Sequence, residues 1–223
     1  MAREIESKTT WFSSALADAV AHGLHARAEE DDIEQVIYGF DHLDELGLHP
    51  LIHKTLRDAG YGVWPEQRYP SDWNKLSKSE GLRCDVVLTQ DPNVLGLRDP
   101  QIRGTLFDQL HACDAKDAYW LEIKTVSQYT TDGPFARYTS ELLSSVTQDL
   151  KKLWKDSLIR HSGLLLVLYA TSKAVADHDL AAWHHRCLDR GYPVGFPVIR
   201  GFNITDRIGN SYCAVGVFAV REW

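Results

Sequence analysis

The sequence predicts an α/β fold, with a mixed central sheet covered by helices on both faces. Three observations carry that prediction. Residues Gly163 to Ala170 form a continuous apolar run, the pattern of a strand buried on both faces. Residues Tyr119 to Val126 read as another strand, in which Leu121 and Ile123 alternate with Glu122 and Lys124. Between them an amphipathic helix spans about 137–160, so the core order is helix, strand, strand, strand, helix, strand.

From the N-terminal end, Trp11, Phe12, Ala15, Leu16, Ala19, Val20 and Leu24 recur at helical spacing and predict a helix over 10–28. Asp31 with Glu34 resembles a capping box, and Ile33, Val36, Ile37, Phe40, Leu43 and Leu46 mark one face of a second helix closed by Gly47. Pro50 fits the first turn of a third, with Leu51, Ile52 and Leu56 inward and Gly60 as its C-cap. Tyr61 to Tyr69 reads as a strand closed by Pro70, followed by a polar loop over 71–81. Leu82 to Leu88 is the next strand, with Asp85 at its head. Residues 90–117, rich in Asp, Gly and Pro, read as an insertion carrying a short helix near 102–111. After the Glu122 strand, 130–134 is a turn. The helix over 137–160 is apolar at Leu142, Leu143, Val146, Leu150, Leu153, Trp154 and Leu158, and its other side carries Gln148, Lys151, Lys152 and Lys155. A helix over 174–190, ended by Gly191, and two strands over 194–204 and 211–221 follow.

No composition shift or repeat divides the 223 residues, so the expectation is one domain over 1–223. Within it, 1–32 is an N-terminal helical extension, 90–117 the insertion, and 174–223 a C-terminal helix and strands. Lys and Arg number 24 against 31 Asp and Glu, a formal charge of −7 that argues against a broadly basic nucleic-acid coat. A nuclease remains compatible, because only its binding face needs to be positive. The scattered Cys84, Cys113, Cys187 and Cys213 form no CxxC pair and read as reduced thiols. No apolar run approaches the roughly 20 residues of a membrane span. The first residues lack a signal-peptide core, so a cytoplasmic protein with no membrane partner is expected.

Glu122 and Lys124 stand about 6–7 Å apart on one side of their strand. Burying a charge is costly unless it is paired or binds a metal, so two charges on an otherwise apolar strand need a partner. Asp85, heading the earlier strand, supplies an acid, and an acid followed by Glu-x-Lys outlines a metal-dependent phosphodiesterase site. Mg2+ takes oxygen ligands and keeps several waters, so two carboxylates and a carbonyl suffice to hold it. Other chemistries find less support. His111-Ala112-Cys113 and His184-His185-Arg186-Cys187 match no structural zinc spacing. The chain has neither a phosphate-binding Gly-Lys-Ser/Thr loop nor a Gly-x-Ser-x-Gly elbow.

Asp85, then Glu122-Ile123-Lys124, with Gln148 on the following helix, resembles the PD-(D/E)xK nuclease superfamily over roughly residues 33–170. The resemblance implies a restriction-endonuclease-like αβββαβ core. It implies that Asp85, Glu122 and the main-chain carbonyl of Ile123 hold Mg2+, with Mn2+ as a substitute, and that Lys124 positions or polarises the attacking water. It further implies a first-helix acid, for which Glu45 is best placed and Glu34 and Asp44 are rivals, and a site role for Gln148. Cys84 stands where the motif's Pro would be, and 36 residues separate Asp85 from Glu122. The expected function is a metal-dependent nuclease acting on DNA, a homodimer if it cuts duplexes. The alternatives are a catalytically silent binding or assembly module of the same fold, and a phosphodiesterase acting on another nucleotide substrate.

Overall fold

A computed structural model describes residues 10–73, 82–98 and 111–222. Six strands form one sheet: β1 (Gly62–Arg68), β2 (Arg83–Thr89), β3 (Tyr119–Ser127), β4 (His161–Ala170), β5 (Val198–Asn203) and β6 (Tyr212–Glu222). Across the sheet they run β1, β2, β3, β4, β6, β5. Strands β3 and β4 are parallel and the other neighbours antiparallel, so the sheet is mixed. The parallel pair is joined by helix α3 (Val146–Lys155), because parallel strands need a crossover connection.

Helices cover both faces. On one, α1 (Ser13–Ile33) and α2 (Glu45–Asp58) press Leu16, Val20, Leu24, Leu48, Ile52 and Leu56 against Leu121, Ile123, Leu165 and Val167 of the sheet. On the other, α3 and α4 (Lys173–Asp189) pack Val146, Leu150, Leu153, Leu180 and Trp183 against Trp120, Leu164, Leu166 and Phe218. Strand β4 lies between these cores and is buried at every position, as its unbroken apolar run predicts. Each fully buried Leu or Phe here contributes roughly 1.5–3 kcal/mol. Helix α1 is part of this core, packed on α2, β5 and β6. Gly60 and Gly191 both take positive φ just beyond their helices, where glycine meets no steric penalty.

The predicted second helix over 33–47 does not form. Helix α1 instead continues to Ile33 and ends in a turn with Gln35 at φ +52. Of the residues read as one helical face, Ile33, Ile37 and Leu46 are 82%, 81% and 71% exposed, whereas Phe40 is buried. Asp31, read as a helix start, sits at a helix end. Its carboxylate accepts the Phe40 N–H at 2.6 Å and pairs with Arg27 at 2.8 Å. Arg207 then donates to the carbonyls of Asp31 (3.2 Å) and Val36 (3.0 Å), holding the loop from a distant part of the chain. Helix α2 starts at Glu45, capped by Asp44, whose side chain accepts the Gly47 N–H at 2.8 Å. Gly47 therefore lies in the first turn of a helix, and Pro50 lies inside it.

The predicted helix over 137–160 is shorter. A brief turn (Tyr138–Ser140) and a π-helical turn (Glu141–Ser145) lead into α3, which ends at Lys155. Leu97–Arg98 pairs with Cys113–Asp114 in the 90–117 segment, and the short helix expected near 102–111 falls almost wholly outside the described residues. Among the described residues no helix is long and apolar enough to cross a membrane.

Candidate active site

The site is built where strand pairing stops. Strands β2 and β3 pair only through Val86–Leu121, Val87–Trp120 and Leu88–Tyr119. Beyond that point side chains replace the backbone ladder. The Asp85 Oδ2 accepts the Ile123 N–H at 2.7 Å, and the Cys84 thiol donates to the Leu121 carbonyl at 3.4 Å. The neighbouring β1–β2 ladder is also broken at this level. Pro65 pairs with Val86 and Gln67 with Cys84, but the Glu66–Asp85 pair between them is missing and Glu66 has φ +53. Cys84 and Val86, which a flat strand would put on one face, lie in opposite cores. Asp85 thus stands at a twist in β2, turned toward β3.

Glu122 is only 1% exposed. That value excludes an ion pair on a solvated sheet face. Its Oε1 accepts the Tyr69 O–H, and Tyr69 is itself stacked on Trp120, two residues before Glu122 on the same strand face. Its Oε2 lies 3.8 Å from Lys152 Nζ on α3. Burial pushes the Glu122 carboxyl well above its usual range, the Asp85 carboxylate adds to the rise, and Lys152 opposes it. Lys152 also bonds Asp149 Oδ1 at 2.6 Å, one turn back on α3. Burial lowers the Lys152 pKa, but Glu122 and Asp149 more than offset it, so the ammonium form is favoured.

Lys124, on the next outward position of β3, pairs with Glu45 Oε2 at 2.9 Å in the first turn of α2. Burial pulls the Lys124 pKa down, and Glu45, then Asp149 and Glu141, raise it above its usual value. Beside this pair opens a cleft of about 270 Å3, lined among others by Asp41, Glu45, Thr125, Phe135 and Glu141. The end of the β2–β3 ladder therefore lets groups from both helical layers meet: Glu45 from α2 and Lys152 from α3.

The structure brings Asp85, Glu122, Lys124 and Glu45 into this corner and leaves Gln148 exposed on α3, with no described hydrogen bond to them. Tyr69, Asp149 and Lys152 were not read as site residues. Lys152 stood in the polar stripe of its helix, and its turn inward depends on the buried Glu122 that only the sheet supplies. Tyr69 carried a weak signal, an aromatic residue ending a strand. Among the described residues no group of three or more His, Cys, Asp or Glu side chains gathers as a ready metal cage. Asp85 and Glu122 do fit a Mg2+ ion that keeps its waters. Each has one oxygen taken by a protein donor, while Asp85 Oδ1 and Glu122 Oε2 accept no hydrogen bond among the described residues. Burial is the first cause of the Glu122 rise and the like charge of Asp85 the second, and this second cause is what a divalent cation would relieve.

No family model, curated protein or solved structure matches this chain. Its functional reading therefore rests on this corner of the sheet.

Proposed function

We propose that the chain is a Mg2+-dependent nuclease that hydrolyses phosphodiester bonds, with DNA as its substrate, and that its fold is the restriction-endonuclease-like αβββαβ core. The observation that carries this reading is that Asp85, bonded to the Ile123 N–H, stands within electrostatic reach of the buried Glu122 at the splayed end of β2 and β3, with Lys124 two residues further along β3. The run α2, β1, β2, β3, α3, β4 follows the same order as that core, which supports it further.

Asp85 and Glu122 would hold the ion, with the Ile123 carbonyl as a third oxygen. A bound Mg2+ would supply positive charge to the phosphate and lower the pKa of a coordinated water. The chain's own groups do the rest. Lys124 is held protonated by Glu45, so it serves as fixed positive charge toward a phosphate oxygen and not as the proton acceptor. Tyr69 fixes the rotamer of Glu122 through its O–H. Lys152 shares its charge between Asp149 and Glu122, limiting the repulsion between Glu122 and Asp85. The ordinary reading of Glu45 is an ion pair that steadies the loop before α2. Its contact with Lys124 gives it a site role in either case.

A second reading has a specific observation behind it. Glu45, Asp149 and Glu141 all bear electrostatically on Lys124, and the whole chain carries −7, so among the described residues this corner offers little free positive charge for nucleic acid. That favours a non-hydrolytic binding or assembly module. The experiment is cleavage of supercoiled, linear and single-stranded DNA, with RNA in parallel, in Mg2+ and Mn2+, comparing wild type with Asp85→Asn and Lys124→Ala. The nuclease reading expects metal-dependent cutting that falls by about a hundredfold or more in each variant. A folded wild type that cuts none of these substrates moves the assignment to the module, and cutting unchanged in both variants removes the site.

A further inference from the structure

Helix α2 carries a second feature that the nuclease reading does not use. His49 and His53 stand at i and i+4, on one face of the helix, and are only 6% and 8% exposed. Their ring centroids are 5.7 Å apart. In both rings Nε2 is buried without a hydrogen-bond partner among the described residues. A buried polar atom left unpaired costs about 1–3 kcal/mol, so two on successive turns are a poor way to fill space that Leu or Met would fill at no such cost. Of the two, His53 is pre-set as a ligand. Burial keeps His53 neutral, its pKa lowered to about 4, with His49 and Arg57 acting in the same direction and Asp85 against. A neutral imidazole needs no proton removed before it binds a metal.

We propose that His49 and His53 form a two-imidazole site for a borderline transition metal ion such as Zn2+, distinct from the oxygen-ligand pair of Asp85 and Glu122. Two histidines one helical turn apart converge on a single ion, as in the His-x-x-x-His arrangement of helical zinc sites. Imidazole nitrogens suit Zn2+, Co2+, Ni2+ and Cu2+ and are poor ligands for Mg2+, so the two sites select different ions. No third His, Cys, Asp or Glu gathers with them among the described residues, so the chain supplies two of the ion's ligands. The Asp85 carboxylate, close enough to favour positive charge at His53, adds attraction for a cation.

The test is a titration of chelator-treated full-length protein with Zn2+, read from the imidazole 15N and 1H signals. Saturable shifts at His49 and His53 with one ion per chain are expected. His49→Gln and His53→Gln, which keep side-chain volume and polarity, are each expected to weaken binding by about tenfold or more, while His178→Gln on the exposed face of α4 leaves it unchanged. Zn2+ that leaves the His49 and His53 signals unmoved overturns the proposal, as does affinity unchanged in both Gln variants. Should a variant fail to fold, the wild-type imidazole shifts alone decide. Asp85→Asn is expected to keep Zn2+ binding within a few-fold, and wild-type DNA cleavage is assayed apart in Mg2+, so this site and the nuclease reading stand or fall separately.

Discussion

Tyr69 and Glu122 set out the residue-scale problem of this site, which is how a carboxyl group is kept inside a sheet. The Tyr69 O–H satisfies Glu122 Oε1, and the phenol is anchored by stacking on Trp120 at 5.8 Å between ring centroids. The same burial pushes the Tyr69 hydroxyl far above its usual pKa, so it remains a donor at every working pH. Tyr69→Phe keeps the stack and removes only the donor. The expected cost is about 1–2 kcal/mol in chemical denaturation, because Glu122 loses a buried partner. On the proposed function, metal-dependent cleavage is expected to fall further than stability predicts, because Glu122 is then free to rotate. Equal activity and stability in Tyr69→Phe and wild type would show that the hydroxyl orients nothing.

At the scale of elements, the start of α2 decides where Glu45 points. Asp44 caps that helix through the Gly47 N–H, and Glu45, the next residue, reaches Lys124. Asp44→Ala is expected to cost about 1 kcal/mol of unfolding free energy and, on the proposed nuclease function, to lower kcat with little change in KM. Which elements were legible follows from where their defining contacts lie. Strands β3 and β4 declared themselves through local pattern, alternation around Glu122 and an unbroken apolar run. The segment 33–47 did not, because its fate depends on Arg207, some 170 residues later in the sequence, bonding the Asp31 and Val36 carbonyls. Ile33, Ile37 and Leu46 imitate a helical face that the fold leaves in solvent, while Phe40 of the same pattern is buried in the core. The candidate site divides in the same way. Asp85, Glu122 and Lys124 could be named from two strands, and Glu45 through the resemblance, whereas Lys152, Tyr69 and the pairing of Glu45 with Lys124 required the packing of both helical layers against the gap between β2 and β3.

For the whole molecule, the proposed Mg2+ site would link protonation to metal binding through Glu122. Its folded pKa is raised well above 4.5, chiefly by burial and then by Asp85. The metal-free fold therefore binds a proton there that the unfolded chain has released. That contribution to stability is fully present below pH 4.5 and is lost as pH rises through the folded value. His53 acts oppositely: its folded pKa of about 4 lies below the usual 6.5, so its contribution grows as pH rises between these values. The two partly cancel in a plain stability profile, and a difference measurement separates them. Mg2+ needs the ionised carboxylates, so the stabilisation it adds is expected to grow with pH, by no more than about 1.4 kcal/mol per pH unit for one displaced proton. A chain of net charge −7 also attracts Mg2+ non-specifically, but that increment does not depend on Asp85. Thermal unfolding with and without Mg2+ at several pH values, for wild type, Asp85→Asn and Glu122→Gln, reads both effects. A pH-dependent Mg2+ increment confined to wild type is expected. An increment that is flat with pH, or that survives in both variants, would mean that these two carboxylates do not share an ion.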